Sequence, residues 1–268
     1  MAISDLRDAV EAADASITET RHQLAIRDTI MKSLEDASTE VRSIACSALG
    51  SLVLHFSGDV VAELVGKMAK LGTESPESIV DIYLQGIRTI LKGLPSSQAG
   101  KISKILIPPM LGALHDSKKS PDHRIGCLFI VTDMLRMPGV DVEQYASSLL
   151  DCFLKHLKDP SADVRKEIGI ALGMLAPSLD DKQFERLVVN LLAMVKLHKD
   201  MDSFGETMFG ALTIVRSVCN LSDKTEYGSR YSGTKISAYA NDLFPVLLRV
   251  LDDTLDSTYE LRETSLLV

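Results

Sequence analysis

"LEDASTEVRSIACSALGSL" runs from Leu34 to Leu52, and "LKDPSADVRKEIGIALGML" runs from Leu157 to Leu175. The two stretches agree at Leu34/Leu157, Asp36/Asp159, Ser38/Ser161, Val41/Val164, Arg42/Arg165, Ala48/Ala171, Leu49/Leu172, Gly50/Gly173 and Leu52/Leu175, each pair 123 residues apart. A chain that meets the same packing problem twice selects the same residues twice. Within the first stretch Val41, Ile44, Ala45, Ala48, Leu49 and Leu52 recur at helical spacing. Leu24, Ile30, Met31 and Leu34 do the same before the polar break "DAST". Each segment reads as one amphipathic helix. The breaks "DAST", "ESPES" (74–78), "DSKKSPD" (116–122) and "DPSAD" (159–163) carry capping Ser, Thr and Asp together with helix-stopping Pro.

The period follows from the arginines. Arg42 has counterparts at Arg124, Arg165 and Arg262. Arg124 and Arg165 are 41 residues apart, and Arg42 and Arg124 are twice that. Between Arg165 and Arg262 there are 15 residues more than two such steps, a surplus that the loop "SDKTEYGSRYSGTK" (222–235) supplies. A 41-residue period with two helices falls in the HEAT/armadillo range, and two helices rather than three favour HEAT. The expected fold is all-α: one right-handed α-solenoid over 1–268, of about six HEAT-type hairpins near 1–56, 57–95, 98–138, 141–179, 180–221 and an incomplete 235–268, with 222–235 as an irregular loop. Val41, Ala45, Leu49 and Leu52 should face neighbouring helices, with small Ala48 and Gly50 letting backbones approach. The Asp36/Arg42 and Asp159/Arg165 offset suggests a short-range polar ladder between adjacent inter-helix turns, a structural role preferred over direct partner contact.

Composition bounds the function. With 268 residues, 46% hydrophobic and 25% charged, the chain can bury a sizeable core. No apolar run reaches membrane-spanning length, and the acidic N-terminus "MAISDLRDAVEAADAS" is unlike a signal peptide, so cytoplasm and nucleus are the expected compartments and no membrane partner is expected. A net charge of −8 without clustered Lys and Arg argues against nucleic acid and favours partners with basic surfaces. Cys46, Cys127, Cys152 and Cys219 form no CxxC pair and read as reduced, buried small hydrophobes.

Local strings that imitate catalytic sites are weighed against this frame. Tyr231 and Lys235 in "YSGTK" have the Tyr-x-x-x-Lys spacing of short-chain dehydrogenases, but that chemistry needs a Gly-rich strand–turn–helix near the N-terminus, and capped helices stand there. Gly228 and Gly233 have four residues between them, yet Thr234 and Lys235 are in the wrong order for a phosphate loop. His22, His55, His115, His123, His156 and His198 never stand at metal-ligand spacing and read as solvated or capping. Met174, Met194, Met201 and Met208 read as core filling. No catalytic, cofactor or metal residue is expected, and the chain is not expected to be an enzyme.

"SLEDASTEVRSIACSALGSLV" (33–53), "TILKGLPSSQAGK" (89–101), "DPSADVRKEIGIALGML" (159–175) and "FPVLLRVLDDTLDSTYELRE" (244–263), in this order, resemble the N-terminal HEAT repeats of the cullin-associated and neddylation-dissociated protein family. The "VRxxxxxALGxL" strings alone are general to HEAT proteins; their order and the "GLPSS" ending of the second hairpin narrow the resemblance. It implies a non-catalytic protein that wraps an unneddylated cullin bound to its RING subunit, blocks the lysine that accepts the ubiquitin-like modifier, and takes part in exchange of substrate receptors. In that family the N-terminal arch embraces the RING protein and the cullin C-terminal region, whereas later repeats displace the adaptor. Family members begin with a further hairpin before "IRDTIMKSLED" (26–36) and continue well past the point where this sequence stops, inside a second helix. The expected partners are therefore a cullin–RING complex and a continuation of the solenoid, in cis or as a separate polypeptide. Exposed second-helix positions, expected to line the concave face, give the candidate contacts Ser43, Ser47, Gln85, Arg88 and Lys166. The alternative is an importin-like receptor or a phosphatase scaffold. The former usually carries Trp/Asn ladders, and Trp is absent here; the latter keeps a stricter repeat without a long insertion.

Overall fold

The computed structural model describes residues 19–197, with Asp5, Asp8, Asn241, Asp242 and Pro245 as isolated helical positions. Among the described residues every regular element is helical. The α-helices are α1 (Thr20–Leu34), α2 (Thr39–Leu52), α3 (Gly58–Glu74), α4 (Glu77–Gly93), α5 (Ser96–His115), α6 (Pro121–Arg136), α7 (Ala146–His156), α8 (Ala162–Leu175) and α9 (Asp181–Leu197). Single 3-10 turns at Val53–His55, Glu143–Tyr145 and Ala176–Ser178 complete them. Charge placement supports these ends: Glu40, Asp59, Glu77, Asp122 and Asp163 occupy first turns, while Lys32, Lys92, Arg136 and Lys155 occupy last turns, each opposing the partial charge of its helix terminus.

Chain contacts divide the protein into Met1–Val140 and Asp141–Val268. In the first unit α1, α3 and α5 form one layer and α2, α4 and α6 the other, with each helix packed on the next of its own layer and on its hairpin partner. Fully buried Leu49, Leu52, Met68, Ile87, Ile90 and Leu106 fill the space between the layers. In the second unit α7 packs against both α8 and α9, over a core that includes Leu150, Phe153 and Leu172.

The second-helix layer is held at backbone distance. A Cβ placed on Gly93 of α4 would lie 2.6 Å from the Gly50 carbonyl oxygen of α2. Gly50 is thus one half of a glycine-to-glycine crossing, as its small size suggested; the other half stands within the "GLPSS" string. Buried Ala45, Ala48, Leu49 and Leu52 also sit where expected.

The polar ties between helices depart from the apolar pattern. In α1 the inward stripe is Gln23, Arg27, Ile30 and Leu34, while Leu24 and Met31 are only half-buried. Gln23 and Arg27 turn inward because each finds a partner on the next hairpin. The Gln23 side-chain oxygen accepts from the Ser57 N–H at 2.9 Å, and Arg27 meets the Glu63 carboxylate at 2.6 Å. In α2 Val41 is half-buried and Ile44 is 43% exposed, so the apolar period is wider than the buried face.

Helix α5 passes through Pro108 and Pro109. Proline removes the donors that the carbonyls four residues earlier would use, and here one of these belongs to exposed Lys104, where water can serve it. Gly112 follows, exposed, with nothing within 4 Å of where a Cβ would be. Gly112→Ala is therefore expected to stabilise the first unit by about 0.5–1 kcal/mol, through helix propensity and a restricted unfolded chain. Chemical denaturation measures it; a loss of stability would show that Gly112 has a packing role.

Candidate partner-binding face

The first and fourth of the turns before the second helices share one construction. In the first, the Asp36 carboxylate accepts from the Ser38 N–H at 2.8 Å, and the Arg42 guanidinium donates to the carbonyls of Asp36 at 2.7 Å and Ala37 at 3.3 Å. In the fourth, the Asp159 carboxylate accepts from the Ser161 N–H at 2.9 Å, and Arg165 donates to the carbonyls of Asp159 at 2.6 Å and Pro160 at 3.1 Å. Asp116 repeats the first half of the device, accepting from the Lys118 N–H at 3.0 Å. The repeated Asp and Arg thus act inside their own turn: the acid closes it, and the arginine satisfies carbonyls that no helix can use.

Ties between neighbouring hairpins are made largely by other residues. The Tyr83 hydroxyl, on a ring that is 1% exposed, donates to Glu35 at 3.4 Å. The Lys119 ammonium donates to the Thr73 carbonyl at 2.5 Å, and the Ser120 N–H to the Glu77 carboxylate at 3.0 Å. Lys101 pairs with Asp59 at 2.5 Å. These residues are not repeated in the sequence; each pair solves one junction.

The outward side of the second-helix layer holds four of the five candidate contacts. Ser43 and Ser47 are exposed on α2, one turn apart, with the Ser47 hydroxyl donating to the Ser43 carbonyl at 2.9 Å. Gln85 is exposed on α4, and Arg88 follows it by one turn, half-buried. Lys166 lies in the second unit, half-buried on α8. Arg88 also engages two residues that the sequence did not single out: its Nε donates to the Asp133 carboxylate at 2.9 Å, and its guanidinium carbon stands 4.6 Å from the Phe129 ring centroid. Phe129 and Asp133 share one face of α6, but nothing in their spacing announced a cross-helix cluster.

The residues weighed as chemical groups have structural surroundings. Burial raises the Cys46 thiol and pushes Cys127 and Cys152 up to about 12, which leaves them protonated and poorly nucleophilic at neutral pH. Met174 is half-buried. His22 and His115 are exposed and His55 is half-buried, but His123 and His156 are buried, against the solvated reading of the histidines. His156 stands 3.3 Å from the Asp159 carboxylate at the base of the fourth turn. Met194, Met201, Met208, His198, Cys219, "YSGTK", the loop 222–235 and Arg262 lie outside the described residues or side chains.

Burial, with the Lys119 ammonium as second cause, lowers the proton affinity of His123 from its ordinary value of 6.5; the Gly72 backbone, Asp81 and Glu77 oppose this. The folded protein then binds this proton less readily than the unfolded chain, so stability falls as pH drops below 6.5. We expect urea midpoints that decline between pH 7 and pH 5, and a shallower decline in His123→Leu. An unchanged slope would contradict this assignment.

Comparison with known proteins places this geometry. The HEAT repeat family model matches residues 26–56 and 149–179, the hairpins that carry the two repeated stretches. The chain is 29% identical over 196 residues to the Cullin-associated NEDD8-dissociated protein 2 of Mus musculus, covering 72% of this chain and 16% of that protein. It is 23% identical over 266 residues to the Cullin-associated NEDD8-dissociated protein 1 of Arabidopsis thaliana, covering 99% of this chain and 21% of that protein. This chain is similar to the cullin-associated NEDD8-dissociated proteins and carries HEAT repeats at these two hairpins. It spans about a fifth of the length of these relatives. Among solved structures, a designed armadillo repeat protein matches with a TM-score of 0.52 at 16% identity, covering 89% of this chain and 96% of that one. A second designed armadillo repeat protein, in complex with peptide (KR)4, matches with a TM-score of 0.53 at 18% identity, covering 89% and 96%. At these identities the likeness speaks to fold alone, and the fold of this HEAT-repeat chain is an all-α solenoid.

Proposed function

We propose that the chain is a non-catalytic binding protein of cullin–RING ubiquitin ligases, which engages the unneddylated cullin together with its RING subunit and takes part in assembly or receptor exchange of these ligases in cytoplasm and nucleus. The observation that carries this reading is similarity to cullin-associated NEDD8-dissociated proteins along 72–99% of the chain, on a repeat fold whose second helices expose polar side chains such as Ser43, Ser47 and Gln85. Such a face binds by area and complementarity.

A reconstituted neddylation reaction tests the proposal. Equimolar chain is expected to slow attachment of the ubiquitin-like modifier to a cullin–RING complex, since a bound repeat array covers the acceptor region. An unchanged rate, together with binding to a transport cargo or a phosphatase subunit, would favour the importin-like or scaffold alternative.

A further inference from the structure

We propose that Arg88, Phe129 and Asp133 form a receptor for one carboxylate side chain, Asp or Glu, of a partner protein. The guanidinium is fixed from two directions. Its Nε is bonded to the Asp133 carboxylate at 2.9 Å, and its plane is covered by the Phe129 ring at 4.6 Å. The Arg88 side chain nevertheless remains 36% exposed and that of Asp133 22% exposed. Among the described residues no protein group accepts from Nη1 or Nη2 of Arg88. A guanidinium whose orientation is set by ring and acid, and whose side chain stays 36% exposed, offers N–H donors matched to the oxygens of a carboxylate.

The same arrangement disfavours a doubly charged anion. Asp133 already offsets part of the arginine charge, and the chain carries a net −8, so a phosphate with nearly two negative charges meets more repulsion than a singly charged carboxylate. Half-buried Ile125 stands one turn before Phe129 and provides an apolar shoulder for the residue next to the guest acid. Arginine and aromatic residues are also enriched at protein–protein interfaces relative to the rest of the surface. Because rotation of the guanidinium is restricted before binding, little ordering remains to be done when the guest arrives.

The receptor does not rest on the cullin reading, and it is tested without a cullin. The peptide acetyl-Leu-Glu-Leu-amide is titrated into the isotope-labelled chain while the backbone amides of α4 and α6 near Arg88 and Phe129 are followed by NMR, with acetyl-Leu-Gln-Leu-amide as the uncharged match. The expected result is a saturable shift with the Glu peptide, at least tenfold weaker with the Gln peptide, and at least tenfold weaker in Arg88→Lys, which keeps the charge and loses the fork. The double variant Arg88→Ala/Asp133→Ala removes both charges, leaves no unpaired acid, and should show the same loss with helical circular dichroism retained. Absence of a saturable shift, equal shifts with both peptides, or undiminished binding by the Lys and double variants would overturn the proposal.

Discussion

Gly93→Ala is expected to destabilise the first unit by about 2–3 kcal/mol, the cost of forcing an extra methyl group into a packed interior. The methyl carbon would lie 2.6 Å from the Gly50 carbonyl oxygen, well inside contact distance, and that oxygen belongs to the backbone of α2. No rotamer change relieves the contact, so α2 and α4 must move apart, and buried Leu49 and Ile90 lose neighbours with them. Gly86→Ala is the informative control. Its methyl group would meet the Met68 Cε and Leu49 Cδ1 atoms, which are side-chain ends that can swing away, so a smaller loss is expected. Urea unfolding of the two variants should separate them clearly. Equal losses would mean that the glycine crossing does not set the spacing of the layer.

Arg165→Leu is the second large effect, a loss of about 3 kcal/mol in the second unit. Arg165 is 7% exposed, and its guanidinium supplies the donors for the carbonyls of Asp159 and Pro160. Leucine fills part of the volume but leaves the buried Asp159 carbonyl without its donor, which carries the desolvation cost, while exposed Pro160 can turn to water. The matched variant Arg42→Leu removes the same bonds from a turn where water can replace them, and should lose roughly 1 kcal/mol or less. Amide hydrogen exchange at Ser161 and Val164 reports the same event locally. If the two leucine variants are equally destabilised, burial of the fourth turn is not what gives its arginine weight.

The pair Arg42/Arg165 explains why the helical repeat was legible in sequence. Each arginine performs a task set by its own hairpin, so each copy of the hairpin needs it again. The Asp that opens a turn and the Arg six residues later repeat for this reason. The ties Gln23–Ser57, Arg27–Glu63, Tyr83–Glu35 and Arg88–Asp133 each join two particular neighbours, and evenly spaced copies are not required. Periodicity is blind to them. It also grouped Leu24 with the apolar stripe of its helix and left Gln23 out, because hydropathy ranks Leu above Gln and cannot know that a glutamine has a backbone N–H waiting on the next hairpin.

The candidate contacts show the same division. Exposure of Ser43, Ser47 and Gln85 followed from helical phase alone. The special position of Arg88 did not, because it depends on Phe129 and Asp133, which come from a helix in the next hairpin and reach it only through the stacking of α4 on α6. His123 is a third instance. As a single residue at the start of a helix it reads as a solvated or capping group, and only the packed structure buries its ring beside Lys119.

The most direct test of the functional account is calorimetric titration of the purified chain into a cullin–RING complex, once unmodified and once carrying the ubiquitin-like modifier. The account predicts saturable binding to the unmodified complex, weakened by added salt as charged rims are screened, and at least tenfold weaker binding to the modified one. Equal affinity for the two forms, or no binding to either, would contradict it.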